Sequence, residues 1–193
     1  KLSDVTIQNT GARAMACSGD ICLNEAMPNP NGYDNATWPN GEWMEITNVG
    51  NQSIDIRNYE LQNKANKRLV FDSNSIIVYN QNNASTYTIS PGDYMVIARN
   101  GFSNFYLANS FDYINLLDPS GNAVDQASWN TSSSGVSLER STPPSSDWQA
   151  TNSPTPGQSN SATPPPTQTI PADVEISEVM PNPWPSYDNA TYP

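Results

Sequence analysis

From Ile21 to Ala150, apolar and polar residues alternate with the two-residue period of half-buried strands, and no stretch sustains a helical period. The alternation predicts strands over Ile21–Met27, Glu42–Thr47, Ser53–Leu61, Ser75–Tyr79, Tyr94–Ala98, Asp112–Leu117, Ala123–Trp129 and Gly135–Glu139. Turn residues separate them at Asn48-Val-Gly50, Ser90-Pro-Gly92 and Asp118-Pro-Ser-Gly-Asn122. Phe102–Ala108 reads as a short irregular or helical piece. Short strands punctuated by Gly and Pro predict an all-β fold, a β-sandwich. Val5-Thr-Ile7 is a further short strand candidate, so residues 1–19 read as a junction segment and 20–151 as the sandwich.

The apolar pattern stops at residues 152–172, NSPTPGQSNSATPPPTQTIPA, which read as a semi-rigid Pro/Ser/Thr-rich linker. Beyond it the chain repeats itself. Residues 22–39, CLNEAMPNPNGYDNATWP, recur as residues 175–193, EISEVMPNPWPSYDNATYP. Glu25, Met27, Pro28, Asn29 and Pro30 match Glu178, Met180, Pro181, Asn182 and Pro183. After a one-residue insertion, Tyr33, Asp34, Asn35, Ala36, Thr37 and Pro39 match Tyr187, Asp188, Asn189, Ala190, Thr191 and Pro193. Residues 173–193 therefore read as the opening of a second repeat. Its first strand, carrying Val174, Ile176, Val179 and Met180, has no sheet of its own to join. It is expected to act as a donor strand, pairing with a later part of a longer chain or with another copy.

Composition narrows the function classes. The 193 residues carry a net charge of −11, and the surface disfavours nucleic acid and anionic membrane. The absence of histidine removes the commonest general base and the commonest transition-metal ligand. No apolar run approaches the length of a membrane span, and nothing at Lys1 reads as a signal peptide, so the chain reads as a mature soluble segment. Cys17 and Cys22 enclose Ser-Gly-Asp-Ile, a spacing that permits a local disulfide, with buried thiols or half of a metal site as the alternatives. A disulfide implies an oxidising, secreted or cell-surface setting, and so short a loop contributes about 2 kcal/mol. Glycosylation sequons occur at Asn35, Asn51, Asn83, Asn130 and Asn189, a number that the Asn, Ser and Thr content produces by chance. Asn35 and Asn189 nevertheless fall at equivalent places in the repeat.

The pieces ICLNEAMPNP, GEWMEITNVGNQSIDIRNYEL, SPGDYMVIARN, DYINLLDPSGNAVDQASW, GVSLER, DWQ and the closing SPTPGQSN follow one another over residues 20–160. In this order the chain resembles the lamin tail domain, and the resemblance implies an immunoglobulin-like sandwich. It also implies a binding or structural module, as in nuclear filaments and many secreted prokaryotic proteins, rather than an enzyme.

The side chains that invite a chemical reading are few. Glu25, Glu42 and Glu45 invite a reading as paired acid and base, but Glu25 and Glu45 lie on neighbouring strands within a motif typical of the resembled fold, where they are expected to hydrogen-bond backbone or flank a cap. Serines Ser132–Ser134 lack the elbow and the histidine of a triad. No cofactor is expected; Asp34, Glu42 and Asp112 are the weak candidates for calcium ligands, and the Asp118–Asn122 turn suits a hairpin better than a calcium loop. Trp43, Trp129 and Trp148 read as core or core-edge aromatics. Tyr33 and Trp38 lie in the Pro- and Asn-rich loop 28–41, an interaction-loop candidate that either stacks on a partner or folds onto its own sandwich. The expected role is an extracellular assembly module, one repeat of a filament or surface layer, whose partners are copies of itself or adjacent repeats. The alternative is an accessory glycan- or protein-binding module of a larger secreted enzyme or adhesin.

Overall fold

A computed structural model describes residues 15–72, 75–79, 82–83, 86–99 and 104–160. The chain divides into units Lys1–Ala162 and Thr163–Pro193. Val5–Ile7, residues 161–172 of the expected linker, the donor-strand set Val174, Ile176, Val179 and Met180, and Asn189 lie outside the described residues.

The alternating segments form β1 (Ile21–Met27), β2 (Trp43–Asn48), β3 (Ile54–Asp55), β4 (Glu60–Asn63), β5 (Arg68–Val70), β6 (Ser75–Tyr79) and β7 (Asn82–Asn83). They continue as β8 (Thr88–Ile89), β9 (Tyr94–Arg99), β10 (Ser110–Leu117), β11 (Ala123–Thr131), β12 (Ser137–Arg140) and β13 (Trp148–Thr151). A seven-stranded sheet runs β13-β12-β1-β2-β9-β6-β7, a four-stranded sheet runs β11-β10-β4-β5, and β3 pairs with β8. The architecture is an all-β, immunoglobulin-like sandwich. Leu23, Met44, Ile46, Met95 and Ile97 from the large sheet meet Leu61, Leu69, Ile114, Leu116 and Trp129 in one buried core.

Differences from the sequence reading have local causes. The expected strand over residues 53–61 splits into β3 and β4, because Asn58 adopts a left-handed φ of 67° and breaks the extended run. β5, β7, β8 and β13 are too short or too polar to show an alternation. Asn104–Ala108 forms no helix; it is a turn and an extended piece that buries Phe105 and Leu107. The Asp118–Asn122 segment is the β10–β11 turn, where Asp118 Oδ1 accepts the Ser120 and Asn122 N–H groups at 2.9 Å.

Residues 15–19, grouped by sequence with the junction, belong to the sandwich. Met15 bridges to Gln126, and the N–H groups of Cys17 and Ser18 donate to the Pro144 and Val124 carbonyls. The Cys17–Cys22 disulfide closes this corner ahead of β1, with Cα atoms 5.6 Å apart.

β1 and β2 are buried on both faces, so the large sheet has a covered outer side as well as a core side. Loop 28–41 covers one part of it. There Trp38 meets the Trp43 ring edge-on at 6.0 Å and packs on the Met27, Val78, Val96 and Ala98 cluster. Gly41 closes the loop against Ala36, and a Cβ at Gly41 would lie 1.8 Å from the Ala36 carbonyl oxygen. Gly41→Ala is expected to cost about 1–3 kcal/mol, read as a lower urea midpoint.

Candidate functional site

The other part of the covered outer side is a row of three carboxylates. In register, Glu139 of β12 stands opposite Glu25 of β1, which stands opposite Glu45 of β2. Strict alternation from core-facing Leu23 would point Glu25 inward. A β-bulge at Asn24 inserts one residue and turns Glu25 to the outer side beside Glu45.

Residues 153–160 lie over this row as a strap. Composition reads them as linker and the family resemblance reads SPTPGQSN as the closing piece of the sandwich; in the structure their polar atoms are partners for buried acids. Glu25 accepts the Thr155 N–H at 3.1 Å, the Thr155 hydroxyl at 3.2 Å and the Ser137 hydroxyl at 2.5 Å. Glu45 accepts the Asn24 side-chain amide at 2.7 Å and the Gly157 N–H. Asn160 ends the strap by donating to the carbonyls of Asn24 at 3.0 Å and Arg140 at 2.7 Å. Glu139 accepts from Gln149 through Oε1, while its buried Oε2 has no partner among the described residues.

Burial dominates the electrostatics. It pushes Glu45 up to about 8 against the opposing hydrogen bonds from Asn24 and Gly157, and the charge on Glu25 adds to the rise. Burial likewise raises Glu25 against Ser137 and Thr155, with Glu139 adding to it. Neither Glu25 nor Glu45 reaches solvent. The arrangement can hold protons and lock a chain segment, and it presents no carboxylate to a substrate.

Inside the sandwich a second polar centre escaped the sequence reading. Arg140 and Asp125 are both wholly buried, and Arg140 Nη2 donates to both Asp125 carboxylate oxygens, at 2.6 and 2.7 Å. Arg140 also donates to the Leu23 carbonyl at 2.8 Å and to Ser145, and it lies 4.8 Å over the Trp148 ring. Asp125 accepts the Leu23 and Gln126 N–H groups, each at 2.7 Å. The available signal was Asp125 at an inward position of a predicted strand and Arg140 one residue beyond the predicted end of another.

Asp34, Glu42 and Asp112 are not brought together as a ligand group among the described residues. Their oxygens are engaged. Glu42 binds Arg99 at 2.8 Å and the Leu107 N–H at 3.1 Å, and its burial raises it to about 7 despite both. Asp112 accepts the N–H groups of Lys64, Ala108 and Tyr113, and Asp34 accepts from the Asn109 amide. Cys17 and Cys22 lie near Asp125, but both sulfurs are committed to the disulfide.

Trp38 folds onto its own sandwich, whereas Tyr33 is 83% exposed. An open cleft of about 420 Å³ lies between Trp38, Trp43, Pro30, Pro154 and Pro156, with Asn31, Asn40 and Asn152 in its lining. Of the sequons, Asn35, Asn51 and Asn130 are exposed, and Asn83 lies on β7. Trp43 and Trp129 are buried and Trp148 packs on the core edge.

The order of strands and the strap-bound Asn24-Glu25 and Glu45 positions coincide with a family match. The model of the Lamin Tail Domain matches residues 14–131. The chain belongs to the lamin tail domain family. No curated protein and no solved structure matches it. This lamin tail domain has the immunoglobulin-like fold of its family, which is typically non-catalytic. β12 and β13 follow the matched residues and complete one edge of the large sheet, and the strap follows them. No helix among the described residues is long and apolar enough to cross a membrane, and the disulfide is compatible with an extracellular protein.

Proposed function

We propose that this lamin tail domain is an extracellular structural module, one of a series repeated along a longer chain and joined head to tail. The carrying observation is the recurrence of residues 25–39 near the C-terminal end, read together with what those residues do in the sandwich. Glu25 anchors the strap, Asn29 donates to the Ser132 carbonyl, and the Asp34 carbonyl receives the Glu42 N–H. A segment that repeats Glu178, Asn182 and Asp188 repeats the parts this fold needs. The strap ends at the Arg140 carbonyl while Cys17 binds Pro144 in the adjoining turn, so both ends of the sandwich lie beside β12. In this reading the Pro-rich residues that follow span the gap to the next module.

Val174–Met180 supplies a strand to a neighbouring copy; of the interaction loop, Trp38 is folded onto the sandwich and Tyr33 is exposed. The partners are copies of the chain, and the charge of −11 disfavours nucleic acid. In sedimentation velocity the full chain is expected to associate with rising concentration. A chain ending at Ala162 should stay monomeric with unchanged stability. Equal sedimentation of the two would reject strand donation.

The cleft between Trp38 and the strap prolines favours a second reading, an accessory glycan-binding module. Titration with oligosaccharides should then change tryptophan emission in the parent protein and not in Trp38→Phe.

A further inference from the structure

The loop 28–41 contains residues whose recurrence the fold does not explain. Pro30 is buried, Asp34 ties Asn109, and Trp38 packs on Trp43; the first two recur as Pro183 and Asp188, and Tyr192 stands in the place of Trp38. Tyr33, Asn35 and Thr37 recur as Tyr187, Asn189 and Thr191, yet all three are exposed. No described residue hydrogen-bonds the Asn35 amide or the Thr37 hydroxyl. Neighbouring polar side chains behave differently: Asn29, Asn31 and Asn109 each hold a partner.

The backbone presents the three together. The Tyr33 carbonyl accepts the Ala36 N–H at 2.8 Å, which closes a β-turn with Asp34 and Asn35 at its centre. The Thr37 carbonyl accepts the Asn40 N–H at 2.9 Å, and the Asp34 carbonyl accepts the Glu42 N–H at 3.1 Å, so the turn is pinned at its base. A free amide stands at a rigid tip, with a free hydroxyl two residues on and an exposed aromatic ring two residues before.

We propose that Asn35 is the N-glycosylated residue of this module, with Tyr33 as the platform on which the first sugar rests. The proposal rests on the extracellular setting in the reading above. The donor is a sugar linked through phosphate to a polyprenyl lipid, and a membrane-bound oligosaccharyl transferase is the catalyst. The Asn35 Nδ2 attacks the anomeric carbon; the C–N bond forms as the bond from that carbon to phosphate oxygen breaks. The lipid phosphate leaves with the electron pair and one Nδ2 proton is lost, so no oxidant or reductant is required. Thr37 supplies the hydroxyl by which the transferase recognises the acceptor.

The other described sequons fit less well. Asn130 is fixed in β11, and its partner hydroxyl on Ser132 donates to the Asn109 carbonyl. Asn51 is exposed, but Val49 rather than an aromatic precedes it by two residues.

Protein purified from the surface of its own cells, mapped by electron-transfer fragmentation of intact glycopeptides, should carry a saccharide mass on Asn35 and none on Asn130. Thr37→Ala should remove that mass with Asn35 still present and the urea midpoint unchanged. Tyr33→Ala should lower occupancy by about twofold or more, the loss of one ring–sugar contact. Unmodified Asn35 in surface protein overturns the proposal and leaves the module reading standing. A chain recovered only from the cytoplasm overturns both.

Discussion

Arg140→Met is expected to lower the unfolding free energy by about 3–5 kcal/mol, because it strands a charge that cannot reach water. Asp125 is wholly buried, and without the guanidinium it keeps only the Leu23 and Gln126 N–H groups. The Leu23 carbonyl loses its 2.8 Å donor and the Trp148 ring loses the cation above it. Burial already raises Asp125 despite Arg140, so the pair is held against a desolvation cost. Removing both charges removes that cost. Arg140→Met combined with Asp125→Leu should therefore recover a large part of the loss. Urea unfolding of the three variants checks this, and a double variant as weak as the single one would show that shape, not charge, sets the requirement.

The contrast between this pair and the strands around it shows what the sequence could carry. β2, β9, β10 and β11 were legible because each buries one or both faces with a clean two-residue period, and period alone fixes which side is inward. The Trp43 and Trp129 positions followed from the same count, whereas Trp148 lies on β13, which shows no alternation. The bulge at Asn24 was not legible, since one inserted residue inverts the face of everything after it without altering composition. The strap was hidden from composition for a related reason, although the family resemblance reaches it through SPTPGQSN. Ser153, Pro154, Thr155 and Pro156 have the composition of a solvated linker, and only the place of Glu25 and Glu45 in space turns Thr155 and Gly157 into partners. Trp38 shows the same limit: loop sequence allowed both an outward ring and a folded one, and the packing of Trp43 beneath it decides. Local alternation reports burial, whereas a polar site depends on pairings 100 residues or more apart, such as Ser137 with Glu25 at a separation of 112.

Raising the pH from 4.5 to 8 is expected to weaken the clasp between the strap and the sheet. The sign follows from Glu45, whose value rises from 4.5 to about 8 on folding. Between these limits the folded chain holds a proton that the unfolded chain has released, so stability is full below 4.5 and declines as the pH climbs. The same direction holds for Glu25 and for Glu42, which rises to about 7. At ~1.4 kcal/mol per unit the Glu45 contribution is at most about 5 kcal/mol, comparable with the Arg140 effect. Net charge adds a smaller push in the same sense, because deprotonation makes an acidic surface more acidic. Glu45→Gln separates the two, since glutamine keeps the shape and never ionises. The parent protein should lose thermal stability steadily from pH 4.5 to 8, and the glutamine variant should lose distinctly less. The weakening should appear first as faster hydrogen exchange at the Thr155 and Gly157 amides, corrected for intrinsic rates, because lifting the strap returns the buried carboxylates to water, a gain that exceeds the hydrogen bonds these N–H groups make to the ionised form. The Ile46 and Ile97 amides, set in the central β2–β9 ladder, should change only with global unfolding. Equal slopes for parent and variant would mean that the strap is held by packing of its prolines alone. A steeper parent slope confined to the strap would make residues 153–160 a segment whose attachment follows the pH outside the module.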